Sequence, residues 1–127
     1  MAKILIVEDD DAVRVLSARA LEKAGHTIEM ACNGAAGLKC IEGASGRYDL
    51  VVSDIRMPEM DGIELAKAAA AKFPALKIML VTGYADQRER AEDLNGVIVD
   101  VVQKPFTLAE IRSRVEKALD RPARLPA

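Results

Sequence analysis

The sequence predicts an α/β protein in which helices cover both faces of a five-stranded parallel sheet. Short apolar runs such as Ile4–Val7 and Asp49–Ser53 lack polar alternation, which is typical of parallel strands covered on both faces. Segments with helical spacing separate these runs, and a chain that alternates strands with helices forms a parallel sheet. The length of 127 residues suits one domain of this kind.

The first helix follows the Ile4–Val7 strand, and either Asp10 or Asp11 can cap it. Gly25 ends this helix. Its apolar positions recur at helical spacing and are Val13, Leu16, Ala20, Leu21 and Ala24. The alternating run Thr27–Met30 predicts a second strand near a sheet edge.

Asn33-Gly34 opens a modest second helix through Ile41, and residues 43–47 form a loop. The third strand, Asp49–Ser53, delivers Asp54 at its carboxyl end. A loop must follow, because Pro58 disfavours helical backbone at the residue before it. Asp61–Glu64 has the spacing of a capping box, which predicts a helix that Pro74 stops after Phe73.

The last third of the chain completes the alternation. Lys77–Val81 predicts the fourth strand, and Val97–Val102 predicts the fifth. Between them, residues 86–94 form a short, highly charged helix in which only Ala91 and Leu94 could face a core. A second capping box, Thr107–Glu110, opens the last helix. That helix is expected to bury Leu108, Ile111, Val115, Ala118 and Leu119. The domain is expected to span residues 1–120, with a flexible tail over residues 121–127.

Composition excludes several function classes. A net charge of −2 and a pI near 5.5 argue against a nucleic-acid partner. No apolar run approaches the roughly 18 residues of a membrane span, and the start does not resemble a signal peptide. Cys32 and Cys40 have neither redox nor zinc spacing, which favours reduced thiols in a cytoplasmic protein. The single histidine, His26, is expected to be a surface turn residue.

Chemically suited residues follow four of the predicted strands. Right-handed crossovers place the carboxyl ends of parallel strands at one edge, and open α/β sheets bind ligands there. Converging carboxylates with oxygen ligands favour Mg²⁺, and a carboxylate can also act as a nucleophile that forms an aspartyl phosphate. The residues expected at this edge are Glu8, Asp9, Asp10, Asp11, Asp54, Thr82, Lys104 and Pro105.

Several of these residues also have an ordinary structural interpretation. Asp10 or Asp11 can serve only as a helix cap, and Asp54 only as a turn residue. Thr82 before Gly83 is compatible with turn chemistry, and Lys104 with a solvated side chain. Because all of these residues are expected at the same edge of the sheet, the pattern favours a functional site.

In these residues the chain resembles the receiver domain of two-component response regulators. The resemblance covers about Lys3 to Leu119 and rests on four segments: Val7-Glu8-Asp9-Asp10, Asp54 with Met57-Pro58 and Asp61-Gly62, Thr82-Gly83, and Lys104-Pro105-Phe106. It implies a flavodoxin-like (CheY-like), doubly wound α/β/α sandwich. It also implies that a histidine kinase or histidine phosphotransfer protein donates a phosphoryl group in a Mg²⁺-dependent reaction.

The resemblance assigns a role to each matching position. Asp54 is the phosphoacceptor, Asp9 binds Mg²⁺ directly, Glu8 binds it through water, and the backbone carbonyl of Arg56 is a third protein ligand. Lys104 contacts the phosphoryl oxygens. Thr82 closes onto these oxygens after transfer. The peptide bond before Pro105 is often cis in the family.

The chain departs from the family pattern at Val101, where many receivers carry an aromatic residue that swings inward on activation. Tyr84 is the nearest substitute, and we expect it to change position on phosphorylation. Arg56 and Tyr84 would border the path of attacking water and set the lifetime of the phosphoryl group. The charged helix over 86–94, the fifth strand and the last helix form the expected signalling surface.

No output domain is visible after the last predicted helix, so the protein is expected to act by binding a downstream protein. Residues 57–66 and 82–84 are similar to stand-alone receivers of the CpdR type, which implies a target in a protease-adaptor pathway. A phosphorelay shuttle or a phosphate sink fits equally well.

Three alternatives stay open at this point. Asp9-Asp10-Asp11-Ala12-Val13 fits the DxDxV signature of haloacid-dehalogenase-type, Mg²⁺-dependent phosphatases, although the chain is short for that family. A flavodoxin-like FMN binder would share the architecture, but the acidic loop after the first strand is poorly suited to phosphate. A pseudo-receiver would act without phosphorylation. For a receiver, no small-molecule turnover is expected.

Overall fold

A five-stranded parallel sheet with strand order β2-β1-β3-β4-β5 forms the centre of the computed structural model. The structure describes residues 2–84, 90–91, 94 and 96–122. The fold class is as predicted. The elements in chain order are β1 (Lys3–Val7), α1 (Asp11–Lys23), β2 (Thr27–Ala31), α2 (Gly34–Gly43), β3 (Leu50–Asp54), α3 (Gly62–Lys72), β4 (Ile78–Thr82), β5 (Asp100–Gln103) and α4 (Leu108–Asp120).

The sheet separates two apolar cores, because successive strand residues point to opposite faces. On one face, Leu5, Val51 and Leu80 pack with residues of α2 and α3. On the other face, Ile4 and Met79 pack with residues of α1 and α4. The predicted three-layer sandwich is therefore confirmed. β2 lies at the sheet edge, as its alternating pattern predicts.

Side-chain caps fix where each helix begins. The Asp10 carboxylate accepts hydrogen bonds from the amides of Ala12 and Val13, so Asp10 rather than Asp11 caps α1. Asn33 caps α2. Both predicted capping boxes are present, Asp61 with Glu64 in α3 and Thr107 with Glu110 in α4. These caps satisfy backbone amides that have no partner inside the helix.

The structure corrects two sequence expectations. β5 begins at Asp100 rather than Val97, because the amides of Val97 and Ile98 bond back to the carbonyl of Leu94. Leu108 is 45% exposed instead of buried, and Leu16 of α1 is also exposed, at 52%. Both line a cleft at the carboxyl edge of the sheet.

His26 is not an exposed turn residue. Its side chain is only 6% exposed and bridges two parts of the fold. Nδ1 accepts a hydrogen bond from the amide of Ala2 at 3.3 Å, so Nε2 carries the proton and donates to Glu116 Oε1 at 2.9 Å. The histidine therefore connects the α1–β2 turn to α4.

Two expected segments fall largely outside the described residues: most of the charged helix over 86–94, and residues 123–127 of the tail. Ala91 is described and is fully buried, and Leu94 packs against the same core, as expected. Among the described residues, no helix is both long and apolar enough to cross a membrane.

The Asp100–Arg114 ion pair makes stability depend on pH. Burial acts to raise the pKa of Asp100, but two hydrogen bonds of 2.8 Å from Arg114 outweigh it and hold that pKa below 3.8. The pair therefore stabilises the fold above the unfolded pKa, and this contribution is lost as pH falls through the lower folded value. We expect Asp100→Asn to lower the free energy of unfolding by about 1–2 kcal/mol near pH 7, allowing for solvent screening at Arg114.

Urea unfolding of both proteins near pH 7 and near pH 3 measures this effect. The difference between the two should shrink at the lower pH. Asp120→Asn, at an exposed position on the same helix as Arg114, is the control and should change little. An equal loss at both pH values for Asp100→Asn would contradict the assignment.

Candidate functional site

The carboxyl ends of four strands meet around one cleft. Asp54 is the last residue of β3, and Glu8 and Asp9 directly follow β1. Thr82 ends β4, and Lys104 directly follows β5. β1 pairs with β2 on one side and with β3 on the other. The strand order therefore reverses between β1 and β3, and open α/β sheets bind ligands at such a switch point. The cleft there measures about 800 Å³, and Glu8, Asp9, Asp54 and Lys104 are among its lining residues.

Three carboxylates converge at the base of this cleft. Oxygen atoms of Glu8, Asp9 and Asp54 all lie within 4.8 Å of one another. Glu8 and Asp54 are only 4% and 8% exposed, whereas Asp9 is exposed. Burial, together with the charge of Glu8, raises the pKa of Asp54 to about 7. Burial and the neighbouring Glu8 also raise the pKa of Asp9. The charged forms of both aspartates are therefore disfavoured at this site.

Lys104 brings a positive charge to this cluster. Its Nζ donates to Glu8 Oε1 at 2.8 Å and lies 3.4 Å from Asp54 Oδ1. Burial disfavours the charged amine, but the hydrogen bond to Glu8 and the charge of Asp54 outweigh it and raise the pKa of Lys104. One ammonium thus faces two buried carboxylates, which leaves the cluster net negative.

The donor set fits a hard divalent cation. Mg²⁺ prefers oxygen ligands and is bound through one or two carboxylates. Glu8, Asp9 and Asp54 supply such oxygens in close range. Burial, and after it the neighbouring Glu8, raises the pKa of both aspartates, so a bound cation would stabilise their charged forms. Glu8, Asp9 and Asp54 could therefore hold Mg²⁺.

Thr82, the last residue of β4, is fully buried and organises the following turn. Its hydroxyl accepts a hydrogen bond from the Tyr84 amide at 3.1 Å and donates to the Tyr84 carbonyl at 3.2 Å. The Lys104 amide donates to the Thr82 carbonyl at 2.7 Å, which ties the ends of β4 and β5 together. The Lys104–Pro105 peptide bond is cis. Val101, at the position where many receivers carry an aromatic residue, is buried in a core.

Arg56 and Tyr84 form a pair at the mouth of the cleft. Arg56 Nη1 donates to the Tyr84 hydroxyl at 2.5 Å, and the guanidinium lies 4.9 Å from the centre of the ring. Tyr84 is 47% exposed, so this pair contacts solvent on one side and the cleft on the other. Because the two residues come from the segments after β3 and after β4, their contact joins the two segments.

Gly62 lies against the backbone of the candidate acceptor. Its amide donates to the Ile55 carbonyl at 2.8 Å. A Cβ atom at this position would lie 2.2 Å from the carbonyl oxygen of Asp54, a separation that no side chain permits. The start of α3 is thus packed directly onto the residue that ends β3.

One residue at the site was not singled out from the sequence. Arg14, in the first turns of α1, donates from Nη1 to the Glu8 carbonyl at 2.9 Å and from Nη2 to Asp11 Oδ1 at 2.5 Å. The available signal was its spacing, because Asp11 and Arg14 are three residues apart and lie on the same side of a helix. Nothing in the sequence indicates that the other donor reaches the Glu8 carbonyl.

Comparisons with known proteins agree with this geometry. Residues 4–116 match the family model described as the response regulator receiver domain. Over 119 residues the chain is 39% identical to the response regulator receiver protein CpdR of Brucella abortus (strain 2308), covering 94% of this chain and 98% of that protein. It is 36% identical to a part of the sensor kinase CckA of the same organism, covering 94% of this chain but only 13% of the kinase.

A solved structure extends the likeness to the fold. The response regulator protein TrrA of Thermotoga maritima, in complex with Mg²⁺-BeF, superimposes with a TM-score of 0.82 at 35% identity, covering 93% of this chain and 99% of TrrA. These matches favour a receiver over the phosphatase and pseudo-receiver alternatives. The chain belongs to the response regulator receiver domain family of two-component signalling proteins.

Proposed function

We propose that this chain is a single-domain response regulator that accepts a phosphoryl group on Asp54 in a Mg²⁺-dependent reaction. The observation that carries the proposal is the buried cluster of Glu8, Asp9 and Asp54 with Lys104 facing it. The bound Mg²⁺ in the TrrA complex supports the choice of metal. In this proposal residues 1–120 form the receiver domain, and residues 121–127 are a tail.

Each site residue has a defined task in the transfer. An Asp54 oxygen forms a bond to phosphorus while the bond from phosphorus to the donor nitrogen breaks, and that nitrogen keeps the electron pair. Glu8, Asp9 and the Arg56 backbone carbonyl would hold Mg²⁺ with Asp54. When bound, Mg²⁺ neutralises charge on the phosphoryl oxygens. Lys104 stabilises the same developing charge from the side of β5.

Thr82 and Tyr84 are the proposed switch residues. The Thr82 hydroxyl bonds to the Tyr84 backbone in the structure, so closing onto a phosphoryl oxygen requires a rearrangement of this turn. Such a rearrangement would also move Tyr84 relative to Arg56. We propose that this movement changes the surface formed by β5 and α4.

The proposed phosphodonor is a histidine kinase or a histidine phosphotransfer protein. The relation to part of a sensor kinase supports a kinase partner. Two exposed leucines, Leu16 and Leu108, line the cleft, which suits a protein donor better than a small ion. Phosphorylation-dependent binding of a downstream protein is the proposed output, with no turnover of a small molecule. The likeness to CpdR makes a protease-adaptor pathway the first target to examine.

The proposed location, the cytoplasm, follows from the proposed histidine-kinase partner. Histidine-kinase phosphotransfer to a receiver would take place in the cytoplasm. Cys32 and Cys40 are both free in the structure, which suits a reducing compartment.

Intact mass after incubation with acetyl phosphate tests the proposed function. We expect one added phosphoryl group in the presence of Mg²⁺ and no added group when EDTA removes the metal. Addition of the group at the same rate without a divalent cation would contradict the metal role. Failure of both acetyl phosphate and a panel of histidine kinases to label the protein would contradict the acceptor role.

Arg56 and Tyr84 are expected to set the lifetime of the phosphoryl group. Their contact borders the cleft from which water must attack the acyl phosphate. We therefore expect Arg56→Ala and Tyr84→Ala to lose the phosphoryl group faster than the parent protein. Tyr84→Phe keeps the ring and removes only the hydrogen bond from Arg56, and should have a smaller effect. Decay of the phosphorylated form, followed by intact mass after removal of the donor, measures these rates. If both alanine variants lose the phosphoryl group at the parental rate, this interpretation is contradicted.

A further inference from the structure

Arg14 contacts the loop that carries two of the three clustered carboxylates. Its guanidinium donates to the Glu8 carbonyl and to Asp11 at the same time. The Arg14 side chain is only 16% exposed, so it is held between α1 and the loop after β1. This contact is to the backbone of Glu8, whose carboxylate is already engaged by Lys104.

The Glu8 carbonyl belongs to the peptide group that links Glu8 to Asp9. A peptide group is planar, so fixing its oxygen fixes the orientation of the whole unit. The direction in which the Asp9 side chain leaves the backbone then follows from the two dihedral angles on either side. A hydrogen bond to this oxygen therefore helps to fix the position of the Asp9 carboxylate.

Asp9 depends on such an anchor more than its two partners do. Glu8 and Asp54 are buried and held by packing and by Lys104, whereas Asp9 is exposed. The rest of the loop is tied on both sides of the Glu8–Asp9 peptide. The Glu8 amide donates to the Ala31 carbonyl of β2 at 3.1 Å, and the Asp10 amide donates to Glu8 Oε2 at 3.3 Å. The contact from Arg14 fixes the peptide between these two anchors.

From this geometry we infer that Arg14 is a positioning residue for the divalent-cation site, acting through the Glu8–Asp9 peptide. This inference rests on the proposed Mg²⁺ site. Groups that orient metal ligands without touching the metal commonly change affinity by about 10–100-fold when they are removed. Arg14 has the geometry of such a group, because its guanidinium binds the backbone that carries the ligands and Asp11, which is not one of the clustered carboxylates.

Because Arg14 is positively charged, an electrostatic role and a positioning role predict opposite changes in Mg²⁺ affinity when it is replaced. A nearby positive charge repels Mg²⁺, so a purely electrostatic role predicts that Arg14→Gln binds Mg²⁺ more tightly. A positioning role predicts weaker binding, because the Glu8 carbonyl loses its donor. Arg14→Lys keeps the charge but cannot reproduce the two-pronged contact of the guanidinium. Charge alone therefore predicts that the lysine variant binds as the parent does.

Titration calorimetry with Mg²⁺ on the unphosphorylated protein measures the dissociation constant directly, without any phosphotransfer. We expect it to rise about tenfold in Arg14→Gln, and by a smaller factor in Arg14→Lys. Arg19→Gln, at an exposed position of the same helix, is the matched control and should leave the constant unchanged. Thermal unfolding of each variant verifies that the folded protein is titrated. If Arg14→Gln does not fold, the lysine variant still carries the test.

The outcomes distinguish this inference from the proposed function. Tighter binding in Arg14→Gln, or unchanged binding in both Arg14 variants, overturns the positioning role while the Mg²⁺ site of the parent stands. A parent protein that binds no Mg²⁺ removes the proposed metal site and this inference together. Weaker binding in both Arg14 variants, with Arg19→Gln unchanged, supports the positioning role.

Discussion

Asp54→Asn is expected to abolish phosphorylation completely. The substitution replaces the proposed nucleophilic carboxylate with an amide of nearly the same shape at a position that is 8% exposed, so the fold should be retained. It also removes one of the two negative charges that face Lys104, and burial of a neutral amide there costs less than burial of a carboxylate. Intact mass after incubation with acetyl phosphate and Mg²⁺ should show no added group.

An exposed aspartate provides the control for this experiment. Asp120→Asn removes a carboxylate at the end of α4, far along the chain from the cleft, and should be phosphorylated as the parent is. A phosphoryl group that persists on Asp54→Asn would place the acceptor elsewhere. Peptide mapping of the phosphorylated protein would then locate it.

Lys104→Met is expected to slow phosphorylation by about 10²–10³-fold. Removal of one preorganised donor to a developing charge commonly costs a factor of this size. Lys104 is placed for that task, because its Nζ lies 3.4 Å from Asp54 Oδ1. Methionine keeps much of the length of the lysine side chain, so the change isolates the ammonium group. The initial rate of phosphoryl addition from acetyl phosphate at saturating Mg²⁺ measures the effect.

Lys117→Met, at an exposed position on α4, controls for the loss of one positive charge from the protein. It should leave the rate unchanged. Because Lys104 also neutralises Glu8, a Mg²⁺ titration of Lys104→Met separates a defect in transfer from a defect in metal binding. A Lys104→Met protein that is phosphorylated at the parental rate would assign the lysine a structural role alone.

The fold was predictable because local chemistry and global architecture agree. Asn33, Asp61 and Thr107 stand at helix starts with the spacing that caps require, and the structure uses each of them as a cap. Errors arose where tertiary position overrides a local pattern. Leu16 and Leu108 fit an apolar helical stripe, yet they lie beside the cleft, because the strand ends leave an opening there.

The sequence predicts which residues lie together at the site, because parallel topology brings the strand ends to one edge of the sheet. Glu8, Asp9, Asp54 and Lys104 lie together as that argument requires. Contacts that depend on side-chain direction were not predictable. The bond from Arg14 to a backbone carbonyl and the direct pairing of Arg56 with Tyr84 depend on rotamers and on loop geometry. Periodicity and spacing carry no information about either.

The close approach of Gly62 to Asp54 has a consequence for how this chain can vary. Gly43, at the end of α2, faces open space, so larger residues can replace it there without a clash. At position 62 any side chain would collide with the carbonyl oxygen of the residue proposed to accept the phosphoryl group. Freedom to mutate is therefore unequal among the glycines. Position 62 therefore accepts only glycine, because of its contact with the proposed acceptor residue, even though Gly62 has no functional group of its own.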